Sequence, residues 1–281
     1  MTAAMPSISL PGGERIPALG QGTWQMAEHR ARRADEIKAL RTGLDLGMTL
    51  IDTAEMYGGG AAEELVAEAI AGRRTEVFLV SKVLPENATL QGTIKACERS
   101  LRRLQTDHLD LYLLHWLGGV PLSETIEAFE ALVRAGLIRR WGVSNFDIDD
   151  MKELVALPKG DEVATNQVLY NLTRRGIEYD LMPWAKRFGL PAMAYSPIEQ
   201  GDLLNHPALQ KIAQQLNATP AQVALAWVLR HPDICAIPKA ARPEHVMENY
   251  GALKVQLTPR DMAALDAAFP APKRKIPLQM I

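Results

Sequence analysis

Four side chains in the first half of the chain have types and spacing suited to proton chemistry. Asp52 ends the apolar run Leu50-Ile51-Asp52, and Tyr57 follows in the next loop. Lys82 closes Val77-Phe78-Leu79-Val80-Ser81-Lys82, and His115 closes Leu109-Asp110-Leu111-Tyr112-Leu113-Leu114-His115. A lysine or a histidine at the end of an apolar strand is costly to bury without a partner. Taken singly, each residue has an ordinary explanation: Lys82 as a solvated strand tip, His115 as a satisfied core histidine, Asp52 as a loop cap, Tyr57 as packing. Their recurrence at consecutive strand ends favours one joint site, because a parallel barrel gathers the C-terminal ends of its strands at one mouth. Asp110 alternates to the face opposite His115, nearer the strand's start, and reads as structural.

The chemistry such a quartet supports is acid catalysis. A phenol ionises near pH 10 (about 10 in water), too weakly to protonate a nascent alkoxide with ease at neutral pH. An ammonium beside Tyr57 favours the phenolate, so Lys82 would make it a better donor. Asp52 would keep Lys82 charged and in place, and His115 would hydrogen-bond a carbonyl and orient it. This suits reduction of a carbonyl by a hydride that a cofactor supplies.

Positioning these residues requires a particular order of elements. Short apolar runs alternate with longer segments of helical period, the pattern of a parallel sheet with crossover helices. Eight strands are expected, at Ala18–Gln21, Thr49–Asp52, Val77–Lys82, Leu109–His115, Trp141–Ser144, Ala164–Val168, Ala192–Ser196 and Cys235–Pro238. Helices are expected between them, among them Ala34–Leu46, Ala61–Ala71, Leu90–Leu104, Ser123–Ala135, Ile148–Leu154 and Pro220–Arg230. Ser123 and Thr219-Pro220 read as helix starts. Ser7–Leu10, Gly12-Gly13 and Arg15–Pro17 read as a β-hairpin that plugs the barrel's bottom, and Glu244–Tyr250 and Pro259–Ala268 as extra helix after the last strand. Eight strands also fit a doubly wound sheet, but the first strand leads into Gly20-Gln21-Gly22-Thr23-Trp24-Gln25, without the third glycine of a dinucleotide fingerprint. The expected fold is a single α/β domain over residues 1–281, a (β/α)8 TIM barrel with an N-terminal hairpin plug and an added C-terminal helix.

Composition narrows the partners. The chain has 281 residues, 47% of them hydrophobic, enough for a sizeable core. Its 31 Lys+Arg nearly balance 33 Asp+Glu, so charge gives no reason to expect nucleic acid or a membrane surface. Two isolated cysteines, Cys97 and Cys235, argue against a disulfide scaffold and a structural metal. No leader-like segment and no apolar run of about 20 residues is evident, so a cytoplasmic protein is expected, monomeric or weakly oligomeric.

At this point the chain resembles the aldo-keto reductase superfamily. The matching motifs are Ile51-Asp52-Thr53-Ala54-Glu55-Met56-Tyr57-Gly58, Leu114-His115-Trp116, Gly142-Val143-Ser144-Asn145-Phe146, Asn166-Gln167, Tyr195-Ser196-Pro197 and Ile237-Pro238-Lys239, in order from about Ile16 to Asn249. The resemblance implies an NADPH-dependent reductase of small aldehydes or ketones, with NADH also possible, in which Asp52, Tyr57, Lys82 and His115 form the catalytic tetrad and Tyr57 is the general acid. It further implies that Ser144, Asn145 and Gln167 bind the nicotinamide carboxamide while Tyr195 stacks on the ring. Backbone around Ser196, Pro197, Ile198, Gln200 and Gly201 would hold the pyrophosphate, and Gly22, Thr23 and Trp24 would line the mouth with Ile237 and Pro238. Lys239 would meet the adenosine 2′-phosphate as a point charge. Glu248 and Asn249 would contact adenine, and Trp24, Tyr57, His115 and Trp116 would wall the substrate pocket.

Three departures qualify the match. Ala240 stands where a hydroxyl residue often helps the phosphate, and His245 where an arginine is usual; Arg242 is a possible substitute, so strict NADPH selectivity is not implied. Val168 onward resembles bacterial reductases and the potassium-channel β-subunit branch, where a cofactor-binding module with slow residual turnover is the alternative function. The short loop after Trp116 and the short tail Pro270–Ile281 imply an open pocket.

Overall fold

The computed structural model describes residues 5–281. A two-stranded antiparallel hairpin, β1 (Ser7–Ser9) and β2 (Arg15–Pro17), precedes eight parallel strands. These are β3 (Gln21–Gly22), β4 (Leu50–Asp52), β5 (Phe78–Val83), β6 (Leu109–Leu114), β7 (Ile138–Ser144), β8 (Asn166–Leu169), β9 (Ala192–Tyr195) and β10 (Ile234–Ala236), each paired with its sequence neighbours. Backbone bonds from Gly20 N to Ala236 O (2.8 Å) and Gly22 N to Pro238 O (3.1 Å) join the first strand's segment to the last, closing the barrel. Two glycines on the first strand's segment allow close packing there. A Cβ at Gly20 would lie 2.7 Å from Leu50 Cδ2, and one at Gly22 would lie 2.8 Å from the Ile237 carbonyl oxygen.

Helices α1 (Arg33–Asp45), α2 (Ala61–Ile70), α3 (Leu90–Leu104), α4 (Leu122–Arg134), α5 (Ile148–Ala156), α6 (Leu181–Arg187), α7 (Pro207–Gln215) and α8 (Pro220–Leu229) lie between the strands. After β10 come α9 (Pro243–Gly251) and α10 (Pro259–Ala268). The helices bury their apolar stripes on the outward face of the strands, in a cluster that includes Leu44, Leu65, Leu101, Phe129 and Trp227. A second cluster fills the barrel's interior, where Ile8, Leu10 and Ile16 of the hairpin pack on Leu50, Val80, Leu111 and Leu113. The hairpin is therefore the expected plug, and Arg140 holds it through a 2.6 Å bond to Glu14. Asp110 accepts from Leu79 N and Arg74 at the strand's start, as its alternation predicts.

Helix starts follow local chemistry, with one correction. Helix α4 begins at Leu122 with Pro121 at its N-cap, so Ser123 lies inside the first turn and caps nothing. Thr219 does cap α8: its hydroxyl accepts from Gln222 N while the Gln222 side chain accepts from Thr219 N. Thr219→Ala removes one arm of this box and is expected to cost about 1 kcal/mol in denaturant unfolding, with an unchanged slope. A midpoint equal to wild type would show that the box contributes nothing.

Candidate active site

The ends of β4, β5 and β6 and the loop after β4 bring the four chemistry-bearing side chains together. Lys82 Nζ is fully buried and makes three bonds: 2.7 Å to Asp52 Oδ2, 2.9 Å to the Thr53 carbonyl and 3.1 Å to Tyr57 Oη. An ammonium has three protons, and all three are used. Gln167 Nε2 donates to the other Asp52 oxygen at 2.7 Å, so both carboxylate oxygens are paired. The Tyr57 ring meets His115 edge-on, with centroids 5.8 Å apart at 73°. Among the described residues, Nδ1 of His115 is buried with no hydrogen-bond partner.

Burial sets the charge states. It would lower the Lys82 pKa, but Asp52 and Tyr57 outweigh it, so the ammonium is held above its ordinary value. Burial also dominates at Tyr57 and pushes the phenol above its usual value, although Lys82 pulls the other way. The sequence anticipated the pull of Lys82 and missed the larger desolvation, which appears only once the ring is packed. His115 is pushed down to about 2, first by burial and then by Lys82, and is a neutral imidazole at physiological pH.

Tyr57, His115 and Asp52 open onto a cavity of about 490 Å³ at the C-terminal mouth of the barrel. Its walls combine apolar and polar side chains. Trp24, Met56 and Trp116 supply apolar surface; Ser144, Asn145, Gln167 and Tyr195 supply polar groups; and Ser196–Ile198, Gln200 and Lys239 complete the wall. The polar side chains are interlinked. Tyr195 donates to Asn145 Oδ1 at 2.8 Å, and Asn145 Nδ2 bonds the His115 carbonyl and Ser144 Oγ, both at 3.2 Å. Ser144 Oγ donates to the Gln167 carbonyl at 2.9 Å. In the loop beyond, Ser196 and Gln200 hold positive φ, 44° and 54°.

A model of the aldo/keto reductase family matches residues 18–269. The chain belongs to the aldo/keto reductase family. Methylglyoxal reductase YeaE of Escherichia coli (strain K12) is 53% identical over 279 residues, 98% of each chain. Glyoxal reductase of Bacillus subtilis (strain 168) is 34% identical over 95% of this chain and 94% of its own. The aldo-keto reductase from Klebsiella pneumoniae, solved in complex with NADPH, superposes with a TM-score of 0.96 at 51% identity, over 99% of this chain and 100% of that one.

This aldo/keto reductase does not bring every predicted residue to the cavity wall. Thr23 is fully buried and its hydroxyl donates to the Asp52 carbonyl, so its side chain supports the mouth from behind. Gly201, Ala240, Arg242, His245, Glu248 and Asn249 are also absent from the wall. Arg242 is the N-cap of α9, bonded to His245, which pairs with Glu248 at 3.3 Å. Asn249 is buried within that helix.

The short tail reaches the reductase's pocket. Met280 and Ile281 line it, because the tail is tied down on its way back to the mouth. Lys275 pairs with Asp149 at 2.8 Å and Asp147 at 3.6 Å, and Leu278 packs on the outer core. Gln25 and Met56, which motif reasoning passed over, join the wall because they neighbour residues already assigned to it. No helix among the described residues is long and apolar enough to cross a membrane.

Proposed function

We propose that this chain is an NADPH-dependent carbonyl reductase of small aldehydes and ketones, α-dicarbonyls such as methylglyoxal and glyoxal among them, with Tyr57 as the general acid. The observation that carries the reading is Lys82 Nζ, buried behind the wall, which bridges Asp52 and Tyr57 where these two line a cavity large enough for a dinucleotide end and a small substrate. The dicarbonyl class is supported by the relatives' activities, and the cofactor by the complex of the Klebsiella reductase.

The residues present fit an NADPH molecule. A carboxamide needs both donors and acceptors, and Ser144, Asn145 and Gln167 supply them. Gln167 keeps an oxygen free while its nitrogen holds Asp52, whereas Asn145 must exchange a present bond to engage a ligand. Tyr195 offers a ring face, the turned backbone from Ser196 to Gln200 supports the pyrophosphate, and Lys239 supplies a cation for the 2′-phosphate. When bound, the cofactor would supply a hydride for the carbonyl carbon.

The chain's own residues do the rest. Neutral His115, its Nδ1 walled in, uses Nε2 to orient the carbonyl oxygen beside Tyr57. As negative charge develops on that oxygen, Tyr57 Oη delivers its proton there. Lys82 stabilises the phenolate left behind and is kept charged by Asp52. Trp24 and Trp116 flank the substrate, a shape that admits a short, planar carbonyl compound.

The test is loss of nicotinamide absorbance with methylglyoxal, glyoxal and simple aldehydes, repeated with NADH. Consumption that needs both protein and carbonyl supports the reading. Tight NADPH binding without turnover would point instead to a cofactor-binding regulatory module. Lys239→Ala is expected to weaken NADPH binding about tenfold or more while barely changing NADH binding, since only NADPH carries the 2′-phosphate dianion. Fluorescence titration with both nucleotides checks this, and equal losses remove Lys239 from the phosphate site.

A further inference from the structure

We propose that Glu55 and Glu63, gripped by Arg99 and Arg103 of α3, are positioning residues that fix the Tyr57–Lys82 contact. The proposal rests on the reading of Tyr57 as the acid. Neither glutamate nor either arginine lines the cavity, so all four act through other residues.

The segment that carries Tyr57 has little stiffness of its own. Gly58, Gly59 and Gly60 follow it directly, all at positive φ (57°, 63° and 97°), and no side chain caps the N-terminus of α2. Three successive glycines leave a chain with many accessible conformations. Beyond the turn bond from Tyr57 N to the Ala54 carbonyl and the 3.4 Å bond from Glu55 N to the Lys82 carbonyl, contacts from outside the segment help to hold the phenol at 3.1 Å from Lys82 Nζ.

The two carboxylates do this from either end. Glu55, ahead of Tyr57, accepts from Leu84 N and Asn87 Nδ2, both at 2.9 Å. Glu63, beyond the glycines, accepts from Ser81 Oγ at 2.6 Å. Ser81 and Leu84 flank Lys82. The segment bearing the acid is thus tied on both sides of Tyr57 to the strand end bearing the lysine, on both sides of Lys82.

Helix α3 completes the clamp. Residues four apart lie on one helix face, and Arg99 and Arg103 use that spacing. Arg99 Nη2 reaches Glu55 at 3.3 Å and Arg103 Nε reaches Glu63 at 2.5 Å. The Arg103 side chain also lies over the glycine turn: a Cβ at Gly60 would come within 2.7 Å of its Cδ and Nε. Glu63 is fully buried, and a buried carboxylate without its cation would be a large penalty.

The test compares Arg103→Met, Arg103→Lys and Glu63→Gln with Tyr57→Phe in the full-length protein, using methylglyoxal and NADPH. Kinetic constants, NADPH affinity, melting temperature and the pH profile of kcat are measured for each. Loosening the clamp moves the acid relative to its partners, so Arg103→Met is expected to lower kcat about tenfold or more. KM and NADPH Kd should stay within about twofold of wild type, and Arg103→Lys should recover most of the rate. The alkaline limb of kcat should move to higher pH, because Lys82 is the neighbour that holds the Tyr57 pKa down while burial and Asp52 raise it. If Arg103→Met fails to fold, Glu63→Gln, which keeps the shape but drops the charge, carries the same expectations.

Wild-type kcat in Arg103→Met and Glu63→Gln overturns the proposal, as does an equal loss in kcat and NADPH affinity that Arg103→Lys does not restore. Tyr57→Phe separates the two readings. An active Tyr57→Phe removes the acid assignment itself, whereas an inactive one beside a normal Arg103→Met removes only the positioning role.

Discussion

Tyr57→Phe is expected to lower kcat by roughly 10²–10⁴-fold, the usual span for loss of a positioned acid, while NADPH still binds. The substitution is close to isosteric. The ring keeps its edge contact with His115, and Lys82 keeps Asp52 and the Thr53 carbonyl; only the 3.1 Å bond to the hydroxyl goes. The proposed cofactor contacts, among them Ser144, Asn145, Tyr195 and Lys239, do not involve the Tyr57 hydroxyl, so NADPH Kd should remain within about twofold of wild type when only a transition-state interaction is removed. A variant that kept a third or more of the wild-type rate would end the case for Tyr57 as the acid. Single-turnover measurement makes the comparison on the chemical step.

Lys82→Met should be worse, because it strikes stability as well as chemistry. Asp52 is 2% exposed, and without Lys82 its Oδ2 faces no cation. Breaking one side of a buried ion pair costs about 3–5 kcal/mol, since the surviving charge is left unsolvated. Turnover should fall to background, with the phenolate no longer stabilised. The double variant Asp52→Asn/Lys82→Met separates the effects: it removes the stranded charge, so it should regain a good part of the lost stability and remain inactive. Denaturant midpoints of the three proteins provide the check. A single variant destabilised by less than about 1 kcal/mol would mean that water or a proton readily satisfies Asp52.

The grouping of Asp52, Lys82 and His115 was legible in the sequence because each sits where an apolar run stops, with Tyr57 in the loop that follows the first of them, and a barrel turns strand ends into neighbours. The hairpin plug was legible for a similar reason: two short strands around Gly12-Gly13 have no parallel partner. Other features carried no local signal. Helices α6 and α7 were not among those named from the sequence; Asp180 and His206 cap them, and Pro207 opens α7. The tail's return to the mouth depends on Lys275 finding Asp149, 126 residues earlier. The roles of Glu55 and Glu63 were hidden because their arginines lie 44 and 40 residues away. The raised Tyr57 pKa likewise follows from packing, which no spacing rule encodes.

The seam where the barrel closes has a consequence for how the chain must fold. Its bonds join residues around Gly20–Gly22 to those around Ala236–Pro238, about two hundred residues apart along the chain, so closure is among the most non-local pairings in the fold. Until the last strand has been synthesised, β3 can pair only with β4, and its outer edge is bare backbone. With no partner strand yet in place, the nascent barrel remains an open sheet with an adhesive rim. Closing it quickly is as much a demand on this sequence as the geometry of the mouth.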